Sequence, residues 1–270
     1  MVGKKKRKVP TKREAGSGDP VYSVVLLEGD SFPVDKFLKQ AAKLRIDGKA
    51  VSGIERDKNG VFSFNVSDQF VAIIHVSAPH PSDDLEGPLT TSWMWPKKPS
   101  IEGVREHRSH LLITLTCGVS GPVQRRRTLT AVTALAAKQP GVMAVFWPDA
   151  THVIFPSVFV DMAKVFNSPG APPPLYLWVD LRAFRNDDGT VDLFTTGLAS
   201  LGHMELEIVN IAMEIGDLRE WVIDIMNYLL EHGPVLKHGQ TIGMTADQKL
   251  HIRHCPSSFG HPGKVIRLEP

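Results

Sequence analysis

Between Pro20 and Ala78 the spacing of apolar positions changes twice. "VYSVVLLEG" is an unbroken β-branched and aliphatic run closed by Gly29, the pattern of a buried strand. "SFPVDKFLKQAAKLR" then sets Val34, Phe37, Leu38, Ala41 and Leu44 three and four apart, with Ser31 as a candidate cap and Pro33 in the first turn. That spacing predicts an amphipathic helix. "GVFSFNVS" and "QFVAIIHVSA" return to strand character around a tight Ser67-Asp68 turn, before "PHPSDDLEGP" breaks the pattern. The predicted order is β-α-β-β, a subdomain over residues 21–80.

The same order begins again at "SHLLITLTCG", with a helix from about Pro122 to Lys138 and a strand at "GVMAVFW". An internal β-α-β-β duplication is therefore one reading of the chain, although the residues themselves barely match. "PSVFVDMAKVF" reads as a short helix. "LYLWVDLRAF" and "TVDLFTTG" read as strands joined by the Asp188-Gly189 turn, and "HMELEIVNI" as the next strand. From Asp217 to Glu231, Leu218, Trp221, Val222, Ile225, Met226 and Leu229 form a wide apolar stripe, with Asp217 as cap and Gly233 as stop. "QTIGM", "KLHIRH" and "KVIRL" close the chain as short strands.

Strands outnumber helices and short turns join many neighbours. This predicts an α+β fold, a mixed or mainly antiparallel sheet with helices packed on one side. Residues 81–270 are expected to form the main α+β domain, with 21–80 either apart from it or within the same compact unit.

Composition excludes disorder throughout, since 42% of the residues are hydrophobic and 22% charged, and 270 residues can bury a large core. No run approaches about 18 uninterrupted apolar residues, and the start lacks the apolar segment of a secretory signal, so neither a membrane span nor export is expected. Two cysteines, Cys117 and Cys255, are too few for a disulfide framework and suit a reducing, cytoplasmic setting.

The net charge of +2 conceals an asymmetry. Lys4, Lys5, Lys6, Arg7, Lys8, Lys12 and Arg13 crowd the first fourteen residues, which leaves 24 basic and 28 acidic residues over 15–270. "KKKRKV" is a hexamer of the kind that import receptors bind. Three readings stay open: a solvated tail, a polybasic arm touching nucleic acid or anionic lipid, and an address that makes the location nuclear in a eukaryotic setting. Residues 1–20 are set apart from the fold in each. The acidic body argues against a whole-surface nucleic-acid binder, so such contact is expected only through the tail.

The segments "PLYLWVDLRAF", "TTGLASLGHMELEI" and "TIGM" resemble an uncharacterised bacterial family known only as a domain of unknown function, number 4261, over most of residues 21–270. "TTGLASLGHMELEI" is also similar, more weakly, to the signature of suppressor-of-fused-like domains, whose bacterial members often stand beside secreted toxins as immunity proteins. The resemblance implies protein binding or immunity and brings no catalytic motif.

Three stretches carry candidate chemistry. On a strand, His203, Glu205 and Glu207 share one face. That face is a solvated one, a polar recognition surface, or part of a metal site needing ligands from elsewhere. "TCGVSGPVQRRR" puts Ser120 in a Gly-containing loop and Arg125, Arg126 and Arg127 in the first helical turns, where an anion could bind. It lacks the Lys and spacing of a P-loop and is not a hydrolase elbow, and Cys117 at its start reads as a buried, inert thiol unless a helix terminus activates it. "TTSWMWPKKP" places Trp93 and Trp95 on one side of an extended segment, beside Lys97 and Lys98. It reads either as a loop pinned by its aromatics or as a partner anchor.

His75, His80, His107 and His110 lack the spacing of a zinc site, and no metal or cofactor is expected. The first functional expectation is a non-enzymatic protein-binding module of immunity or antitoxin type, its acidic body suited to a basic partner such as a nuclease toxin. The alternative is an enzyme with an assembled site, 116–127 holding an anion and His203, Glu205 or Glu207 acting as acid and base. A third possibility is nucleic-acid association through the tail alone.

Overall fold

The computed structural model describes residues 20–57, 60–116, 120–166, 170–245 and 248–270. The expectations placed on the basic tail and on Cys117 lie outside the described residues.

The first half of the chain contains β1 (Val21–Leu27), α1 (Val34–Ala41), β2 (Arg45–Ile46), β3 (Lys49–Arg56), β4 (Val61–Val66), β5 (Gln69–Val76), α2 (Ser82–Thr91), β6 (Ser109–Thr116) and α3 (Pro122–Ala137). Then come β7 (Val142–Trp147), β8 (His152–Ile154), α4 (Pro156–Phe166), α5 (Leu175–Trp178), β9 (Asp180–Arg185) and β10 (Val191–Thr196). The chain ends with β11 (Leu206–Ile211), α6 (Ile215–His232), β12 (Thr241–Ile242), β13 (Leu250–Pro256) and β14 (Lys264–Glu269). Short 3-10 turns lie at Ile101–Glu106, Pro148–Ala150 and Leu198–Leu201.

The strands form two sheets, of order β2-β3-β4-β5-β6-β1-β7-β8 and β12-β13-β14-β11-β10-β9. All of these pairings are antiparallel except β11 beside β14, so the fold is α+β with antiparallel-dominated sheets. β5 pairs with β6 from Phe70↔Thr116 to Val76↔His110, so residues 21–80 and the segment after them build one sheet. One apolar core runs through both sheets, from Val21 to Leu268.

Alternation decides which face each strand buries. Val25, Leu27, Phe62, Phe64, Val71, Ile73, Leu111, Ile113 and Leu115 enter the main core. On that face Ser23 of β1 meets Thr133 of α3, their hydroxyls 2.6 Å apart. α3 is buried nearly all round, polar residues included, so its Thr and Arg side chains must find partners inside the protein. Helices on one side describes α1, α3 and α4. α2 differs: Leu85 and Leu89, with Val104, cover Val24, Leu26, Ala144, Phe146 and Val153 in a second, smaller core.

Several boundaries differ from expectation for local reasons. β3 is exposed almost throughout, so it has no apolar alternation to betray it. α2 contains Pro88 and buries only Leu85, Pro88 and Leu89, too few to set a helical period. "LYLW" is a helical turn that follows Pro174, and the strand begins only at Asp180. α6 starts after Glu214 with Asp217 in its first turn, where its charge suits the helix dipole, and stops at Gly233. α1 starts after Pro33 without a side-chain cap from Ser31. The first unit runs β1-α1-β2-β3-β4-β5, two strands more than the expected β-α-β-β, while the second runs β6-α3-β7-β8; β5 lies inside the sheet and its counterpart β8 at the edge.

Candidate functional site

The segment "TTGLASLGHMELEI" folds as a turn clamped by a carboxylate. The strand begins only at Leu206, so Glu205 sits just ahead of it, 7% exposed, and its side chain turns back over the 3-10 turn. Oε1 accepts the backbone N–H groups of Gly197 and Ala199, both at 2.9 Å, and Oε2 accepts that of Leu198 at 3.2 Å. The Thr195 hydroxyl donates to Oε2 at 2.6 Å and accepts from the Leu206 N–H at 2.8 Å. The first N–H groups of a helical turn have no partner within it, and here one side chain supplies three acceptor contacts. Gly197 is required by geometry: its φ is +116°, and a Cβ there would lie 2.4 Å from the Trp178 carbonyl oxygen.

Glu207 is fully buried on β11 and bonds to the β13–β14 connection. It accepts from the Ser257 hydroxyl at 2.5 Å, from the Ser258 N–H and from Arg267, whose Nη2 lies 2.7 Å away. Burial alone would raise its pKa. The hydrogen bonds from Ser257, Arg267 and Ser258 outweigh that and hold the carboxyl below the ordinary range. The same loop lays Phe259 flat on Phe194, ring centroids 4.7 Å apart. The expectation of a solvated or recognising face thus fails for both glutamates, because the turn and the loop cover them. His203 lies outside the strand and is half-buried, and burial lowers its pKa.

The arginine stretch does not converge on an anion either. Arg126, its side chain 3% exposed, pairs with Asp149 and stands over the Trp147 ring at 5.8 Å. Arg127 donates to the carbonyls of Ala171 at 2.7 Å and Phe166 at 3.3 Å. Ser120 donates to Asp68 at 2.9 Å, a carboxylate where an anion was expected. Arg125 is buried. The 198–202 turn lies near the start of this stretch's helix, where a Cβ at Gly202 would stand 3.9 Å from Pro122 Cγ.

Trp93 and Trp95 separate instead of facing one way. Trp95 donates from Nε1 to the Pro99 carbonyl at 2.8 Å and stands edge-on to Phe155 at 5.1 Å, against the second core. Between them Met94 is buried and accepts from Phe155 N–H, while the Ser92 hydroxyl bonds Val153 O at 2.6 Å. The segment thereby covers β8, an edge strand that would otherwise offer its backbone to another chain. Trp93 is 48% exposed, held edge-on by His152 at 6.2 Å and Tyr176 at 5.8 Å. Beneath it His152 is buried, and burial lowers its pKa against the opposing charge of Asp180. Arg182 bonds Asp180 at 2.6 Å and the hydroxyls of Thr91 and Thr151, both at 3.1 Å.

Asp149, Asp180, His152 and Arg267 were not singled out by sequence. Only a carboxylate or basic residue inside an apolar run signalled them. Of the four histidines, His75 of β5, His110 of β6 and the two between the strands, three come together: the rings of His80 and His110 are 5.2 Å apart, and His107 Nε2 accepts the His80 N–H at 2.8 Å. Among the described residues, no group of three or more His, Cys, Asp or Glu could hold a metal ion. Nor is any helix there long and apolar enough to cross a membrane.

The architecture is thus an α+β protein whose second sheet is organised around a carboxylate-capped turn and a buried Glu–Arg clamp. Residues 194–269, which include the end of that turn's leading strand and the clamp, match the family model described as Domain of unknown function (DUF4261). The match covers this C-terminal part and not most of 21–270. No curated protein and no solved structure matches the chain.

Proposed function

We propose that this protein is a binding module that holds a basic protein partner, in the manner of an immunity protein blocking its toxin. The observation that carries the reading is Trp93, a large aromatic ring held half in solvent by His152 and Tyr176. A ring fixed by its neighbours loses little conformational freedom when a partner covers it, and Trp is the residue type that most often dominates such contacts. The excess of acidic over basic residues across 15–270 favours a basic partner and speeds encounter with it. Of the groups expected to build an assembled enzyme site, Glu205, Glu207, Arg126 and Arg127 are already occupied by internal bonds.

The test compares capture of a partner from native extract by the wild-type chain, Trp93→Ala and Trp95→Ala. The expected result is one stoichiometric basic protein, lost with Trp93→Ala and kept by any folded Trp95→Ala. Equal capture by both variants, or no capture at all, overturns the reading.

A further inference from the structure

β1 and β5 carry apolar side chains on both faces, as strands covered from two sides do: Val71 and Ile73 enter the main core, while Phe70, Ala72 and Ile74 point the other way. On that outer side α2 covers only the β1-β7-β8 end of the sheet, with Leu85 and Leu89 over Val24, Leu26, Phe146 and Val153. The rest of the face, over the start of β1 and over β6, β5 and β4, is uncovered, and Tyr22 and Phe70 stand there 41% and 40% exposed. None of the outward positions of these four strands holds Lys, Arg, Asp or Glu. A solvated sheet face alternates to polar residues, so a face of this composition suits burial against another surface.

The registers decide what fits it. Across the sheet Tyr22 lies beside Thr114, Thr114 beside Ala72, Ala72 beside Ser63 and Ser63 beside the exposed Glu55. The rows on either side run Leu112, Ile74, Val61 and Thr116, Phe70, Asn65. β5 is central, two strands from the exposed β3 and two from β1, where the cover of α2 begins. Turning a second copy about an axis along β5 therefore sets Leu112 on Val61, Thr114 on Ser63 and Thr116 on Asn65, apolar on apolar and polar on polar. Phe70, Ala72 and Ile74 then meet their own counterparts, and Tyr22 meets Glu55, whose carboxylate accepts a phenol O–H. Each α2 falls beside the other copy's β3, because a helix about 10–12 Å across fills the same layer as a sheet stacked about 10 Å away. Around a two-fold axis a charge faces its own kind, so an uncharged face suits a second copy and offers a charged partner nothing to select.

We propose that this sheet face joins two copies of the chain in a face-to-face dimer. Four strands about 4.8 Å apart, with three outward rows about 7 Å apart, cover about 400 Å2 per copy. That is about half of the roughly 800 Å2 per copy of a standard interface, so the dimer is reversible and its population rises with concentration. The inference stands apart from the reading of Trp93 and needs no other protein.

The test is sedimentation velocity of the purified full chain over about a thousandfold range of concentration, where a shift from monomer to dimer with nothing larger is expected. Phe70→Asp and Phe70→Lys should each stay monomeric, and an equal mixture of the two should recover the dimer, because position 70 faces itself across the axis. Phe70→Ala should weaken the dimer about tenfold, and it decides the matter should the charged variants not fold. Phe184→Asp, at an exposed aromatic of the second sheet, should change nothing. A chain that is monomeric at every concentration overturns the proposal and leaves the face to a different protein. Species that grow beyond a dimer, which mark a head-to-tail contact, also overturn it. So does a dimer indifferent to the Phe70 variants, a mixture that stays monomeric, or an equal loss with Phe184→Asp. Capture of a basic protein through Trp93 keeps its own experiment, and neither result decides the other.

Discussion

The backbone N–H of Gly197 donates to Oε1 of Glu205 at 2.9 Å, and this bond defines the turn that precedes β11. Glu205→Gln keeps the length of the side chain but replaces one acceptor by an NH2 group facing backbone N–H groups. Leaving a buried donor unsatisfied costs about 1–3 kcal/mol, so a loss of about 2–4 kcal/mol is expected in urea unfolding with an unchanged m-value. A change under 1 kcal/mol would mean that the carboxylate does not hold the turn.

Gly197→Ala and Gly202→Ala separate close contact from backbone strain. Both positions have positive φ, +116° and +90°. A Cβ at 197 meets the Trp178 carbonyl at 2.4 Å, while one at 202 has only Pro122 Cγ at 3.9 Å. Gly202→Ala should cost about 1–2 kcal/mol, the strain of the left-handed region alone. Gly197→Ala should cost clearly more, and equal losses would argue against the close approach.

Arg267→Met leaves the buried Glu207 carboxylate without its cation. Breaking a buried pair in this way costs about 3–5 kcal/mol. The hydrogen bonds that hold the Glu207 pKa below its ordinary value near 4.5 make its contribution present above that value and lost as pH falls through the folded one. Glu207→Gln should therefore flatten the acid side of the stability profile, which a series of urea midpoints against pH reads directly.

Histidine protonation should destabilise the fold from a higher pH. Burial lowers the pKa values of His75, His80, His110 and His152, with Asp30 opposing at His75, Asp84 at His80 and Asp180 at His152. Because the folded values lie below the ordinary 6.5, the stabilisation is complete above that pH and is lost as pH falls from there through the folded values. Midpoints should be level from pH 8 to about 7 and decline below about 6.5. A profile flat down to pH 5 would contradict this, and His110→Asn should make the decline shallower.

Periodicity read along the chain places β1, β4, β5, β6, α1, α4 and α6, because each buries a regular set of apolar side chains such as Phe62, Phe64 and Val66, or Leu218, Val222 and Ile225. Turn chemistry does the same at Ser67-Asp68 and at Gly189, where the connection requires positive φ. β3 and α2 escaped this reading because one is solvated along nearly its whole length and the other buries three residues around an internal proline.

Which polar side chains meet was decided only by tertiary structure. Glu205 and Glu207 alternate as on a strand with one wet face, a pattern identical in sequence to the one found. Nothing local says that the 3-10 turn folds back onto Glu205 or that Arg267, sixty residues away, reaches Glu207. Arg126 likewise reads as a surface cation until Asp149 and Trp147 close over it. Apolar burial is set by spacing along the chain, because the core is non-directional and needs only a consistent face. A hydrogen bond needs its partner within about 3 Å in the right direction, and that is a property of the assembled fold.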